Sequence, residues 1–414
     1  MFLRLFNMAW SSVLILSAAA GCTFPGGVNT GGNTTVPPSY GVIKVIDQGG
    51  KKQIGAVNFL EAKDYESGET ITDRGLANVA GGVLYQGTQK DEYYLLSQKQ
   101  GIYYTENAGQ LWKRIYIFSL ESTKATPEER ATDRENQLAR NNAFAISGFY
   151  IDTNDSNIIY VGGLLGNIGK LYKSSNKGKT FEEKYSEVNQ NVAVTRVVTN
   201  PRNSFDVLAV IGSDTILKSS DAGQTWSKIY VFNAGGAILQ FGFLPYLNNV
   251  LYVFQNGGGL SFSPDLGVTW TSVKMEREPS KINENQPTDT FTFGENNSLQ
   301  FASFERFLPI KATPGKFMML ADKQLWSTDD ITQPWKKINL PLQGEQNTIT
   351  ALDVDPQVGL DKIYLTIQNK LFVSLNRGVS WSSETLPISV PVVKILVDPN
   401  DTSVLYMSLG ATSN

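Results

Sequence analysis

Histidine is absent from these 414 residues, and cysteine occurs once, at Cys22. Without an imidazole the commonest general base and metal ligand is missing, so His-based triads and His-ligated metal sites are excluded. A single thiol rules out any disulfide within the chain. Excess charge is missing as well: 36 basic against 39 acidic residues give a formal −3, without the basic face a nucleic-acid binder needs. The N-terminal apolar run, Met8 to Ala20, falls short of the roughly 20 residues a spanning helix requires. Neither Gly162-Gly-Leu-Leu-Gly166 nor Gly257-Gly-Gly259 continues into a phosphate-binding GxGxxG or P-loop.

What is present is a short phrase that recurs. It reads Thr105-Glu-Asn107-Ala-Gly109-Gln-Leu-Trp112, then Ser174-Ser-Asn176-Lys-Gly178-Lys-Thr180-Phe181. It returns as Ser219-Ser-Asp221-Ala-Gly223-Gln-Thr225-Trp226, Ser263-Pro-Asp265-Leu-Gly267-Val-Thr269-Trp270 and Ser374-Leu-Asn376-Arg-Gly378-Val-Ser380-Trp381. A degenerate copy runs from Ser327-Thr-Asp329 to Trp335, with one extra residue and no glycine. Each phrase follows a short β-rich run such as Thr215-Ile-Leu-Lys218. The Asp or Asn side chain can close a turn on nearby backbone, and glycine supplies positive φ without a Cβ clash. The hydroxyls satisfy backbone donors, and the aromatic packs the hairpin on its neighbour. These acids are therefore structural; no catalytic residue, metal site or cofactor is expected.

The phrase resembles the Asp-box, or BNR repeat, of sialidases, sortilin-type receptors, xyloglucanase-like glycosidases and photosystem II assembly-factor-like proteins. The resemblance covers about Gly41 to Leu409 and implies a β-propeller. Aromatic-to-aromatic steps of 69, 45, 44, 65 and 46 residues correspond to one four-stranded blade each, two of them with insertions. Val392-Val-Lys-Ile-Leu-Val-Asp-Pro399 and Val404-Leu-Tyr-Met407 repeat the first half of a blade before the sequence stops. The other half is sought in Gly41-Val-Ile-Lys-Val-Ile-Asp47-Gln-Gly49, read as a worn seventh box. The expectation is an all-β, single seven-bladed propeller over residues 41–414, closed by pairing N- and C-terminal strands. Six blades, with the N-terminal segment decorating an edge, is the alternative.

Residues 1–21 read as a signal peptide, since Ala19-Ala-Gly-Cys22 resembles a bacterial lipobox with Cys22 as the lipid attachment site. Residues 22–40 are Gly/Thr/Pro-rich, the composition of a flexible tether. Placement in the bacterial cell envelope, lipid-anchored and outside the cytoplasm, follows as an expectation.

In propellers the box hairpins join the outer two strands on one face. Connections between blades, and between middle strands, open on the other. The insertion near Leu120–Asn142 starts with Thr126-Pro-Glu-Glu129, a capping box with proline at the first helical position, and predicts a short exposed helix across the mouth. That near Lys274–Asp289 predicts a loop. The Gly-rich stretches are placed in middle-strand loops on this face, and Arg130, Arg134, Arg140 and Arg277 are its candidate contacts for an acidic partner group.

A sialidase of this family would carry an Arg-Ile-Pro signature, and none is present. Glycoside hydrolysis otherwise needs two carboxylates about 5 to 9.5 Å apart, and the sequence singles out no pair. The reading is a monomeric, non-enzymatic propeller that binds a protein, in an assembly or scaffold role, or a cell-envelope polymer. The alternative is a glycan-binding protein or glycoside hydrolase of the Asp-box type.

Overall fold

The burial pattern of the strands dictates the architecture. Tyr93–Ser97, Phe317–Ala321 and Val404–Leu409 are buried at every residue, whereas Ser382–Thr385 is exposed at every residue. A strand apolar on both faces must be covered on both faces, so the sheets stack against one another rather than facing water. The structure, a computed structural model, describes residues 41–48, 51–56, 62–64, 70–71, 82–97, 101–109, 112–232, 236–256, 259–273, 275, 301, 303–342 and 348–410.

Seven sheets result, each one blade built on four antiparallel strands. Their innermost strands are Val83–Gln86, Phe144–Ile151, Val194–Asn200, Ile238–Leu244, Phe304–Pro309, Ile349–Asp355 and Val392–Val397, for blades 1 to 7. Blade 7 combines Val392–Val397 and Val404–Leu409 with Gly41–Gln48 and Lys51–Ala56, the C-terminal pair lying inside the N-terminal pair. Gly41 pairs with Leu409 and Ile46 with Val404, which closes the ring. Blade 1 carries an addition absent from the sequence reading. Ala62–Asp64 runs parallel to its outer strand Lys113–Ile115 and pairs with Thr70–Ile71, making six strands.

Apolar clusters fill the seams between blades. Between blades 7 and 1, Val42, Leu84, Tyr93, Leu95, Trp112, Val404 and Tyr406 pack together. The Tyr93 hydroxyl donates across this seam to Asp398 Oδ2 at 2.8 Å. At the seam of blades 2 and 3, Thr199 Oγ1 donates to Asp152 Oδ2 at 2.6 Å. Gly162 and Gly163 lie inside the strand Ile159–Leu165, not in a loop as the sequence reading had it. A Cβ on Gly162 would stand 2.8 Å from the Val194 carbonyl oxygen, so blade 3 approaches too closely for any other residue. Gly166 does occupy the turn, with φ +64; Gly257 and Gly258 lie outside the described residues.

The helix spans Pro127–Ala143, with Thr126 as N-cap and a complete capping box to Glu129. None of its residues is buried. It runs straight into Phe144, the first residue of blade 2, and so stands where an inter-blade connection enters an innermost strand.

Candidate functional site

The polar groups of the repeated hairpins are engaged within their own turns. In the blade 3 hairpin, Ser219 Oγ donates to Asp221 Oδ1 at 2.7 Å and accepts the Gly223 N–H at 2.8 Å. Asp221 accepts the Thr225 N–H at 2.8 Å and the Thr225 hydroxyl at 2.6 Å. The Thr225 hydroxyl, then its N–H, then Ser219 hold the Asp221 carboxyl down at about 2. Asp265 repeats these bonds with Ser263 and Thr269. Asn176 and Asn376 reproduce the lock with an amide, each Nδ2 donating to the hydroxyl four residues on, at 2.8 and 2.9 Å. In the first hairpin Thr105 Oγ1 donates to Asn107 Oδ1 at 2.8 Å and accepts the Gly109 N–H at 3.1 Å. The aromatic ends rivet neighbouring blades: Trp226 donates to the Lys184 carbonyl of blade 2 and Trp381 to the Asn339 carbonyl of blade 5, both at 2.8 Å. Phe181, Trp270 and buried Trp335 pack into inter-blade cores.

Two sequence assignments are corrected. In the degenerate copy the acid is Asp330, not Asp329: Asp330 N–H donates to Thr328 Oγ1, and Asp330 Oδ1 accepts the Thr332 N–H at 2.9 Å. Thr328, Asp330, Thr332, Pro334 and Trp335 thus fall on the standard spacing with no extra residue, and Thr332 replaces the glycine. Asp329 points elsewhere and meets Lys316 Nζ at 3.1 Å. Asp47 is not in a box turn. It sits in the ladder opposite Lys52, and Gln48 pairs with Lys51, so two residues connect the strands where a box has seven. Gly49 lies outside the described residues, as do Cys22 and Arg277.

The arginines of the helix do not converge. Arg130 Nη1 donates to the carbonyls of Lys124 and Ala125 at 3.0 and 2.8 Å. Arg140 lies over the Phe118 ring at 3.9 Å, about 15 Å along the helix by its rise per residue. Arg134 is half-buried between them.

A different set of polar residues gathers around the central axis. The third residue of the innermost strand is Tyr85 in blade 1, Arg196 in blade 3, Gln240 in blade 4, Arg306 in blade 5, Ala351 in blade 6 and Lys394 in blade 7. In the last five the preceding residue is bulged out of the ladder, which re-aims the side chain that follows. Inter-blade connections enter these strands at their first residue, so the ring lies toward the face opposite the hairpins.

Two members reach for the next blade. Arg196 donates to the Thr195 carbonyl at 2.7 Å and to Leu239 of blade 4 at 3.0 Å. Gln240 accepts the Phe307 N–H of blade 5. Two residues beyond Ala351, Asp353 accepts the N–H of Val354 at 2.9 Å and of Val397 in blade 7 at 3.3 Å. Arg306 differs: its Nη1 is buried and has no acceptor among the described residues.

Burial raises the Asp353 carboxyl, against the opposing pull of Lys394, the two N–H groups and Arg306. Burial lowers Lys394, with Asp353 opposing and Arg306 adding to the fall. Arg306 and Lys394 therefore share Asp353, while Arg196 stands apart on its two carbonyls. A signal for them existed in sequence: each is a polar residue inside an apolar run, as in Val194-Thr-Arg-Val-Val198 and Val392-Val-Lys-Ile-Leu396, in one column once blades are aligned.

On the hairpin face a groove of about 460 Å³ opens between blades 4 and 5, lined by Leu244, Tyr246, Val250, Phe262, Phe317 and Ile331. It lies beside the hairpin that lacks glycine.

No protein-family model matches the chain, and no curated protein does. Its fold has solved counterparts. The GH74 enzyme of Niastella koreensis aligns with a TM-score of 0.57 at 16% identity, over 80% of this chain and 52% of that one. The GH74 xyloglucanase from Xanthomonas campestris gives 0.56 at 15% identity, over 80% and 51%. YCF48 bound to D1 peptide gives 0.52 at 12% identity, over 80% and 94%. The chain spans about half the length of these two GH74 enzymes and nearly all of YCF48. At such identities the likeness is one of fold.

Proposed function

We propose that this chain is a non-enzymatic, lipid-anchored propeller of the bacterial cell envelope that binds a protein, in an assembly or scaffold role, or a cell-envelope polymer. The observation that carries the reading is the division of polar groups between the two faces. On the hairpin face the repeated Asp and Asn side chains are saturated by their own loops, which supports reading them as Asp-boxes with a structural role. Toward the other face Arg306 and Lys394 share the buried Asp353 carboxylate, and a helix that buries none of its residues enters blade 2 from that face. The N-terminal strand starts at Gly41 opposite Leu409, on that same face. A tether over residues 22–40 would span about 24 Å root-mean-square and turn this face toward the membrane.

The test is crosslinking in native envelopes, comparing the intact chain with one whose residues 121–139 are replaced by a Gly-Ser linker. A specific component captured only by the intact chain supports the reading; equal capture by both refutes it. Labelling with a radioactive fatty acid should mark the wild type and not Cys22→Ser.

A second reading, glycoside hydrolysis, is favoured by the GH74 counterparts and by the raised Asp353 carboxyl, a property of general acids. Release of reducing ends from xyloglucan, abolished by Asp353→Asn, would establish it.

A further inference from the structure

We propose that Arg306 and Lys394 form an anion site for one carboxylate group of the ligand, with Asp353 as the internal counter-ion that the bound carboxylate supplements. The inference rests on the binding reading and names the chemistry of its anchoring contact.

The argument begins with two arginines at one position of the repeat. Arg196 and Arg306 are both the third residue of an innermost strand, both behind a bulge. The guanidinium of Arg196 is satisfied by two carbonyls and staples blade 3 to blade 4. Among the described residues Arg306 makes no corresponding staple, and its buried Nη1 has no acceptor. A buried charged donor without an acceptor is costly, so the position favours a ligand that supplies one.

Lys394 occupies the same position two blades on, and its proton affinity is lowered in part by the charge of Arg306. The two cations are thus near enough to repel. Asp353 lies on the strand between theirs and acts on both through space, its two oxygens accepting backbone N–H groups. The other carboxylate acting on Arg306, Glu305, is exposed and accepts the Lys323 N–H, so inside the ring two positive charges meet one negative, which matches a singly charged group. The planar fork of arginine fits a carboxylate in two-point contact, and lysine adds a point charge.

The probe is [1-¹³C]propionate titrated into the full chain in detergent at fixed ionic strength, with propionamide as the uncharged control. Carbon-13 line shape and thermal midpoint are the readouts. The expected result is saturable propionate binding that propionamide does not show, weakened at least tenfold in Arg306→Gln and in Lys394→Gln. Asp353→Asn should act in the opposite sense and tighten binding severalfold, because it removes the competing negative charge. Arg306→Lys, which keeps the charge and loses the fork, should fall between wild type and Arg306→Gln and guards against a folding defect. Absence of saturable binding in the wild type, equal binding by all variants, or weakening by Asp353→Asn would overturn the proposal. Capture in envelopes that still depends on residues 121–139 while propionate fails to bind would sink this inference alone and leave the binding reading standing.

Discussion

Replacing Gly378 by alanine should destabilise the propeller more than the same change at Gly223, although both glycines hold the same place in their hairpins. Both have positive φ, +79 and +93. The left-handed backbone alone should cost an L-residue about 1–2 kcal/mol at either site. The surroundings differ. A Cβ at Gly378 would lie 2.2 Å from Ile338 Cγ2 of blade 5, whereas at Gly223 the nearest atom is Lys184 Cβ at 3.4 Å. Ile338 is buried in the seam, so the clash cannot relax into solvent and should add about 1–3 kcal/mol of overpacking. The expectation is about 2–5 kcal/mol for Gly378→Ala and about 1–2 kcal/mol for Gly223→Ala, read from urea midpoints at unchanged slope. Ile338→Ala removes the offending methyl at its own cost of about 2–5 kcal/mol. Combined with Gly378→Ala it should cost less than the sum by about 1–3 kcal/mol, the overpacking removed. Equal costs at the two glycines, or strict additivity of the pair, would show that the hairpin glycine serves its own turn and not the seam.

Three further outcomes are expected. Tyr93→Phe removes the hydrogen bond to the buried Asp398 carboxylate across the closing seam and should lower stability by about 1.5–3 kcal/mol in urea titration. Asp221 is held at about 2 when folded, below its ordinary 3.8, so its contribution is complete above about pH 4 and fades as pH falls toward 2. Asp221→Asn should leave the urea midpoint at pH 7 unchanged, since Asn176 and Asn376 make the same lock, and should flatten the fall between pH 4 and 2. Thr126→Ala removes the helix N-cap and should speed amide exchange in the first helical turn while leaving the global melting temperature in place, because the helix buries no residue.

The hairpin phrase was legible because every element of it is local. A hydroxyl, an acid or amide, a glycine and an aromatic at fixed offsets close their own turn, and the same seam recurs at each blade. Ring closure was legible for a similar reason: half a blade at the C-terminus demanded the other half. The fifth hairpin reads one residue early in sequence because Ser327-Thr-Asp329 carries the same hydroxyl-x-acid letters as Thr328-Asp-Asp330. Its bonds join Thr328, Asp330 and both the N–H and the hydroxyl of Thr332, so the turn closes there without a glycine. Asp47 failed in the opposite way, keeping the letters Asp-x-Gly while its strands meet through a connection too short for the lock. The pairing of Ala62–Asp64 with the outside of blade 1 left no periodic trace, since a three-residue parallel strand has none.

The candidate site was the least legible part, and the repeat itself explains this. Whatever packs a blade on its neighbour must recur in every blade, so repetition marks structure. Whatever binds one ligand need occur once, so it shows as departure from repetition at a shared position. The third residue of the innermost strand is that position. Arg196 and Gln240 there tie their blades to the next, a structural use. Ala351 contributes no polar group, and Arg306 and Lys394 on either side of its blade are left to share Asp353. Such a departure becomes visible only after the register of every blade is fixed, and the bulges that fix it are a property of strand pairing and not of any one strand's sequence. The central axis is therefore where a propeller built from near-identical seams can differ most from blade to blade without weakening any of them.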